Sequence, residues 1–434
     1  MSFFRDKAEP VLLVLLLASL PLVTPRIAES DAVEYFSYLP SLLLDFDLDF
    51  EDEYRTFYEE DPEGRAGFKE TFLDRSTATG LKLNFGPIGT AVLWSPFYLA
   101  THLFVRSADG MSQPYRTAVS VASALYAAVG LFLCYRLARR YASSFASFVA
   151  VVALWWATPV AYYMYIAPGM SHAASLFAVA VFFSLWPWAT SGGPARWAVW
   201  GASAGLMALV REQDLFFAVA ALLAVLVIPD RLKKLAAFGA AAFVVFLPQL
   251  VVYQVLNGTP EPAPEVQRKM IKYSPHFFEV LFSSEHGLFF WSPILLLFFA
   301  GGLLLLKKQR YSGLVLLAAF VAQVYISGAV DSWTQAGAFG ARRFVGATAI
   351  FAVWGAFLIE ALEPRFRRAG VAAVVSIFIL WNASLMIQFG LGLMDRDKLV
   401  WSQIVHNHLH EVPPRLGSVL SRYVFSRGEL EGSP

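Results

Sequence analysis

Asp31, Glu34, Tyr35 and Tyr38 stand at i, i+3, i+4 and i+7 in SDAVEYFSYLP, which places two carboxyls and two phenols on one face if residues 31–39 are helical. From Asp45 the period changes to two. Asp45, Asp47, Asp49 and Glu51 alternate with Phe46, Leu48 and Phe50, the pattern of an extended segment lying against an apolar surface. Residues 30–54 hold eight carboxylates and no cation. DFDLDFEDEY has some of the acids of a calcium loop, but Phe50 stands where that loop turns on Gly and Thr56 where it needs a bidentate Glu, which excludes an EF-hand. What remains for Asp45 and Asp47 is a looser divalent-cation site or a solvated acidic rim.

The cations lie elsewhere. In DSWTQAGAFGARRF (331–344), Arg342 and Arg343 follow a Gly-rich stretch where backbone N–H groups can approach a ligand. Guanidinium groups bind phosphate through paired, charge-assisted hydrogen bonds, so the pair reads as an anion site at the depth of a lipid phosphate, or as a partner for the acidic stretch or lipid headgroups. Arg211 in VREQD (210–214) lies between two short apolar runs, where a ligand, Glu212 or Asp214 would each serve as its partner. His172 in APGMSH and His286 in SSEHGLFFWSP stand at the start of apolar runs, where a capping role competes with substrate contact. HNHLHE (406–411) would align three histidines on a strand, but nothing in that tail favours a strand, so it is a weak basis for a metal site.

These residues need a scaffold, and composition identifies its solvent. Of 434 residues 57% are hydrophobic and only 15% charged, and the mean hydropathy is +0.54, which marks a polytopic membrane protein. A net charge of +1 without a clustered basic face excludes a nucleic-acid partner. The single cysteine, Cys134, permits no intramolecular disulfide.

Apolar runs at 10–27, 117–135, 143–165, 172–190, 197–210, 215–229, 235–256, 288–306, 312–330, 344–361 and 369–393 predict an all-α protein of about 11 transmembrane helices, with 197–229 as a short hairpin. Arg5 and Lys7 before the first run read as a retained signal-anchor, since the exit PLVTPRIAES lacks a small-x-small cleavage pair. With the N-terminus cytoplasmic, the basic clusters at 136–140, 196, 231–234, 307–310 and 365–368 all fall inside. Reading GPIGTAVLWSPFYLATHLFV (86–105) as a span would invert them. That stretch is expected instead as a re-entrant or interfacial helix broken by Pro87 and Pro96, with Trp94 at headgroup depth. The outer face then collects 28–116, the turn near 163–172, the loops 257–288 and 329–343, and the tail. This fits an integral, multi-pass protein of a bacterial inner membrane whose site faces the periplasm or exterior, where nucleotide sugars and ATP are scarce. No run carries an acid or base at its middle, which argues against ion-coupled transport.

SDAVEYFSYLPSLLLDFDLDF after a first span, LNFGPIGTAVLWSPFYLATH, the APGMSH turn, the GLMALVREQD hairpin and the Gly-rich FGARRF loop together resemble the GT-C superfamily. These membrane glycosyltransferases use polyprenyl-phosphate sugars; they include protein mannosyltransferases, the aminoarabinose transferase of lipid A and lipopolysaccharide core transferases. The motifs are loose and act only in combination. The resemblance implies a GT-C-like transmembrane catalytic domain at 1–393, with juxtamembrane helices in the first outer loop 28–116, and a short outer tail at 394–434. It implies that an acid of the first outer loop is the catalytic base, a position Asp31 matches best and Glu34 next, with Tyr35 beside them. Lys82 and Asn84 fall where related enzymes place polar donor contacts. The second acid that the family often carries after the third span is missing from APGMSH, which leaves that role open to His172 or to Asp45 and Asp47. A divalent cation, Mg or Mn, is the one cofactor in view.

The reaction so implied is inverting transfer of a sugar from a polyprenyl-phosphate donor to a hydroxyl of a protein, lipid or glycan acceptor. A carboxylate takes the hydroxyl proton, and Arg342, Arg343 and Arg211 stabilise the departing phosphate. The alternatives are a carrier or flippase for lipid-linked sugars, and a ligase or polymerase of surface polysaccharide. A carrier should show inverted repeats and helices broken at the midplane, and the sequence has neither.

Overall fold

A computed structural model describes residues 3–65, 67–105, 109–335 and 337–427, with residues 3–6 described by their backbone alone. The side chain of Arg5, Ala336 of the Gly-rich loop and residues 428–434 of the tail lie outside the described residues. Among the described residues every regular element is helical, and Ser76 and Lys82 form an isolated β-bridge. A lipid-solvated chain must satisfy its backbone internally, and helices do so within one segment. Among the described residues five helices are long and apolar enough to cross a membrane: Gln113–Ala138, His172–Thr190, Arg231–Asn257, Arg310–Gly328 and Thr348–Gly390. On Arg231–Asn257, Phe243, Val244, Leu247 and Val251 are exposed along one side, a continuous apolar surface that suits lipid rather than water.

Four local expectations are corrected. The run 143–165 is not one helix. Ser144–Trp156 ends before Pro159, which disfavours helical geometry at the residue ahead of it, and a wider helical turn at Tyr162–Ile166 follows. The runs 344–361 and 369–393 are joined as Thr348–Gly390, broken only at Arg367, whose φ of 55° and ψ of 163° interrupt the helix within the basic cluster. The alternating acids do not form one extended rim: Phe46 is left-handed and exposed, and Glu51, Asp52 and Glu53 make the first turn of helix Glu51–Glu60, where acids complement the helix dipole. Trp94 does not face headgroups. It is fully buried in the 14-residue helix Gly89–His102 and donates to Ser123 Oγ at 2.8 Å.

The chain divides into two compact units. One comprises Met1–Leu22, Ala128–Tyr162 and Ile271–Pro434; the other comprises Val23–Ala127 and Tyr163–Met270. In the first unit, Ile294–Lys308 packs on the start of Thr348–Gly390 so closely that a Cβ at Gly301 would lie 2.1 Å from Trp354 O. Asn382 in the second half of that helix is buried and donates to Trp156 O at 2.9 Å and Thr158 O at 3.0 Å, satisfying carbonyls that Pro159 strands at the end of Ser144–Trp156. In the second unit, Pro194–Val210 lies on Arg231–Asn257 through two glycines four residues apart. A Cβ at Gly201 would meet Phe238 O at 2.0 Å and one at Gly205 would meet Ala242 O at 2.4 Å, the close approach that small residues give membrane helices. The segment that follows the first apolar helix folds around Tyr38, Phe50, Tyr54, Phe68 and Phe72, whose rings meet edge-on or tilted at 4.8–5.7 Å.

Candidate active site

Helix Ser30–Pro40 bears out the i, i+3, i+4, i+7 spacing. Asp31 occupies its first turn, half-buried, where the helix dipole favours a carboxylate. From Ala32 onward every residue of the helix is buried. Glu34 therefore has its carboxyl inside the unit, where Oε1 accepts from the backbone N–H of Phe85 at 2.6 Å. Burial, then the Asp31 charge, pushes the Glu34 carboxyl well above the usual range; the Phe85 N–H and the Lys269 ammonium oppose the shift without reversing it.

The segment LNFG is laced onto this helix. Asn84 Nδ2 donates to Glu34 O at 3.0 Å, its Oδ1 accepts from Gly86 N at 2.9 Å, and Tyr38 OH donates to Gly86 O at 2.9 Å. Gly86 is required there, because a Cβ would lie 2.8 Å from the Tyr35 ring. Asn84 thus stands beside the acids as a positioning group. Lys82 does not join them: its Nζ donates to Leu73 O at 2.7 Å and lies 3.5 Å from Glu51 Oε2.

Tyr35 leads to a second polar cluster. Ser171 Oγ donates to Tyr35 OH at 3.1 Å and accepts from Arg211 Nη1 at 2.9 Å, and the same Nη1 lies 3.2 Å from His172 Nδ1. Burial and the Asp31 charge push the Tyr35 phenol up to about 12. Arg211 sits where helix Pro194–Val210 ends, the terminus whose dipole favours a cation. In the following turn, Asp214 is fully buried and Oδ2 accepts from Ser175 Oγ at 2.6 Å. Burial raises its carboxyl to about 6, against the pull of Arg211. Glu212 accepts from Tyr253 OH, and Gln249 Oε1 accepts from the N–H of Ile88 at 2.9 Å.

Sequence reasoning named Asp31, Glu34, Tyr35, Asn84, His172 and Arg211, and this unit holds all six. It did not name Ser171, Ser175 or Lys269, and it weighed Asp214 only as a partner for Arg211. One signal was present: Ser171 and Ser175 are four apart across a helix start, a spacing that puts both on one face.

His286, Arg342 and Arg343 belong to the other unit. His286 is buried at φ 64°, stacked on Trp291 with centroids 4.9 Å apart, and its Nε2 lies 2.6 Å from Ala338 O. Burial lowers its pKa, and the Arg342 charge acts in the same direction. Arg343 is committed to Ser327 O, in the last turn of helix Arg310–Gly328, at 3.2 Å and to Ser332 Oγ at 3.0 Å.

Asp45 and Asp47 do not fit a cation site. Asp47 Oδ1 already accepts from Ser41 Oγ at 3.0 Å and from Asp49 N at 3.1 Å, a local turn. No group of three or more His, Cys, Asp or Glu side chains is placed to hold a metal ion among the described residues. Of the three tail histidines, His408 turns inward onto Ser384 and Gln388, whereas the rings of His406 and His410 face each other at 4.9 Å.

No family model and no curated protein matches the chain. Among solved structures it is similar to the crystal structure of the Archaeoglobus fulgidus oligosaccharyltransferase in the apo form, with a TM-score of 0.51 and 13% sequence identity over 100% of this chain. The chain spans 61% of the length of that protein. At that identity the likeness is one of fold alone.

Proposed function

We propose that the chain transfers a sugar from a polyprenyl-phosphate carrier to an acceptor hydroxyl at the outer face of the membrane, with Asp31 as general base. The observation that carries this reading is the contrast between two acids on one helix face. Asp31 is reachable at the helix start, whereas Glu34 lies buried beneath it on the Phe85 N–H. Burial raises the Glu34 carboxyl and the Phe85 N–H occupies its Oε1, which supports Asp31 rather than Glu34 as the base. The likeness of fold to an oligosaccharyltransferase supports glycosyl transfer as the reaction class.

Asp31 takes the acceptor proton as the oxygen attacks the anomeric carbon. The bond from that carbon to the phosphate oxygen breaks, its electron pair leaves on the lipid phosphate, and the configuration inverts. Fixed cations lower the barrier by meeting the charge that develops on the leaving group. Arg211, aimed by Ser171 and His172, is the first candidate for this role, and Arg342 the second. No step runs through a metal, because the donor set around Asp45 and Asp47 does not fit one.

In membranes supplied with a labelled polyprenyl-phosphate sugar, Asp31→Asn should abolish transfer at unchanged protein abundance. Full transfer by Asp31→Asn would exclude Asp31 as the base.

A further inference from the structure

The tail beyond the last apolar helix is not a loose end. Residues 401–425 are helical throughout: Trp401–His406, a wider turn at Asn407–Glu411, then Val412–Phe425, about 37 Å at 1.5 Å per residue. One side is fixed to its own unit. Ile404, Asn407 and Val412 are buried, and Asn407 Nδ2 donates to Gln388 Oε1 at 3.0 Å and Leu393 O at 2.7 Å. At the far end Tyr423 OH donates to Leu22 O at 2.7 Å and Arg427 Nη2 to Pro21 O at 3.0 Å. The stretch therefore bridges the C-terminal ends of the first and last apolar helices, Phe3–Ala18 and Thr348–Gly390.

The other side is apolar and uncovered. Trp401, Val405, Leu409, Leu416, Leu420 and Val424 follow at intervals of four and seven residues, each 42–66% exposed. Arg415 and Arg422 are the arginines of the stretch, and Glu411, its single acid, is paired with Arg415.

We infer that residues 401–425 form an interfacial helix that lies in the outer plane of an anionic bilayer, its apolar stripe sunk at the headgroup–acyl boundary and its arginines meeting lipid phosphate. Three observations select lipid as the occupant. Both anchors are ends of apolar helices, so the stretch sits at the level where the hydrocarbon ends. Trp401, at the start of the stripe, is of the type enriched at that level. The charge is net cationic with an apolar stripe, the pattern that holds helices on anionic membranes.

The test uses the full chain reconstituted in vesicles of phosphatidylcholine and phosphatidylglycerol. An environment-sensitive fluorophore is placed on Leu420→Cys or, on the opposite face, on Ser418→Cys; native Cys134 is buried and stays unlabelled. The Leu420 site should be quenched about twofold more by lipids spin-labelled near the headgroup than the Ser418 site, with the order reversed for aqueous iodide. Equal iodide quenching at both sites overturns the inference, and so does shielding of the Leu420 site from both quenchers, the result expected of a protein occupant. Arg415→Gln with Arg422→Gln should weaken lipid quenching at the Leu420 site in these vesicles but not in pure phosphatidylcholine; no change would overturn the anionic-lipid assignment. Val424→Cys repeats the reading if Leu420→Cys fails to fold.

Discussion

Glu34 and Phe85 are joined by a hydrogen bond in which the Phe85 N–H donates to Glu34 Oε1 at 2.6 Å, inside the unit that also carries Asp31. A neutral amide can accept the same bond, so Glu34→Gln should keep the fold and most of the transfer activity. Glu34→Ala should lose roughly 1–3 kcal/mol of stability by leaving a buried N–H without a partner. Thermal unfolding in detergent and a transfer assay, run on both variants, check this. Inactive but stable Glu34→Gln would instead make Glu34 the base.

Ser171 joins Tyr35 to Arg211, and it is small enough to remove cleanly. Ser171→Ala should slow transfer about tenfold, the effect of losing one hydrogen bond to a charged group at about 1.4 kcal/mol per factor of ten. Ser171→Thr, which keeps the hydroxyl, should recover most of the rate. Equal losses in both variants would point to packing rather than to the hydroxyl.

The two neighbouring arginines should separate in experiment. Arg343→Ala removes ties to Ser327 O, in the last turn of helix Arg310–Gly328, and to Ser332, and should lower the unfolding temperature. Arg342→Ala should reduce transfer by weakening the hold on donor phosphate. Measuring both variants for melting and for the KM of the labelled donor decides it; a normal KM in Arg342→Ala would remove it from the donor site.

Glu53 gives a pH signature. It is buried, and burial followed by the charges of Asp45, Asp47 and Asp52 raises its carboxyl from 4.5 to about 8. The folded chain then holds a proton that the unfolded chain releases, so its contribution to stability is full below 4.5 and is lost as pH rises through 8. Glu53→Gln should flatten this slope and gain roughly 2–4 kcal/mol at pH 8.5 relative to pH 5, read from unfolding curves at both values.

The parts of this molecule that depend on local periodicity were legible in the sequence. Apolar runs such as 172–190 and 235–256 coincide with helices His172–Thr190 and Arg231–Asn257, because lipid burial forces a continuous apolar run into one helix. The i, i+4 face of Asp31, Glu34, Tyr35 and Tyr38 was equally readable. Breaks were harder to place. Thr158-Pro159 ends a helix inside an unbroken apolar run, and the acids from Glu51 start a helix although they continue a period of two. What could not be read was pairing over distance. Ser171 meets Tyr35 across 136 positions and Asn84 meets Glu34 across 50, so neither contact has a local pattern. His172 was found through its residue type; Ser171, whose type is common everywhere, was not.

The chain crosses between its two units four times, at residues 22–23, 127–128, 162–163 and 270–271. Synthesis therefore delivers the units out of step. Every residue of the unit bearing Asp31 has been made by Met270, whereas the other unit, whose first helix meets Ser144–Trp156 early, still lacks the partners encoded after Ile271, among them Tyr423, which reaches Leu22 across 401 positions. A translating ribosome thus completes one unit while the other still waits for its last elements. A nascent chain halted well past residue 300 should already protect Arg211 and Tyr35 from protease, while the segment around Leu22 stays exchangeable until the tail arrives.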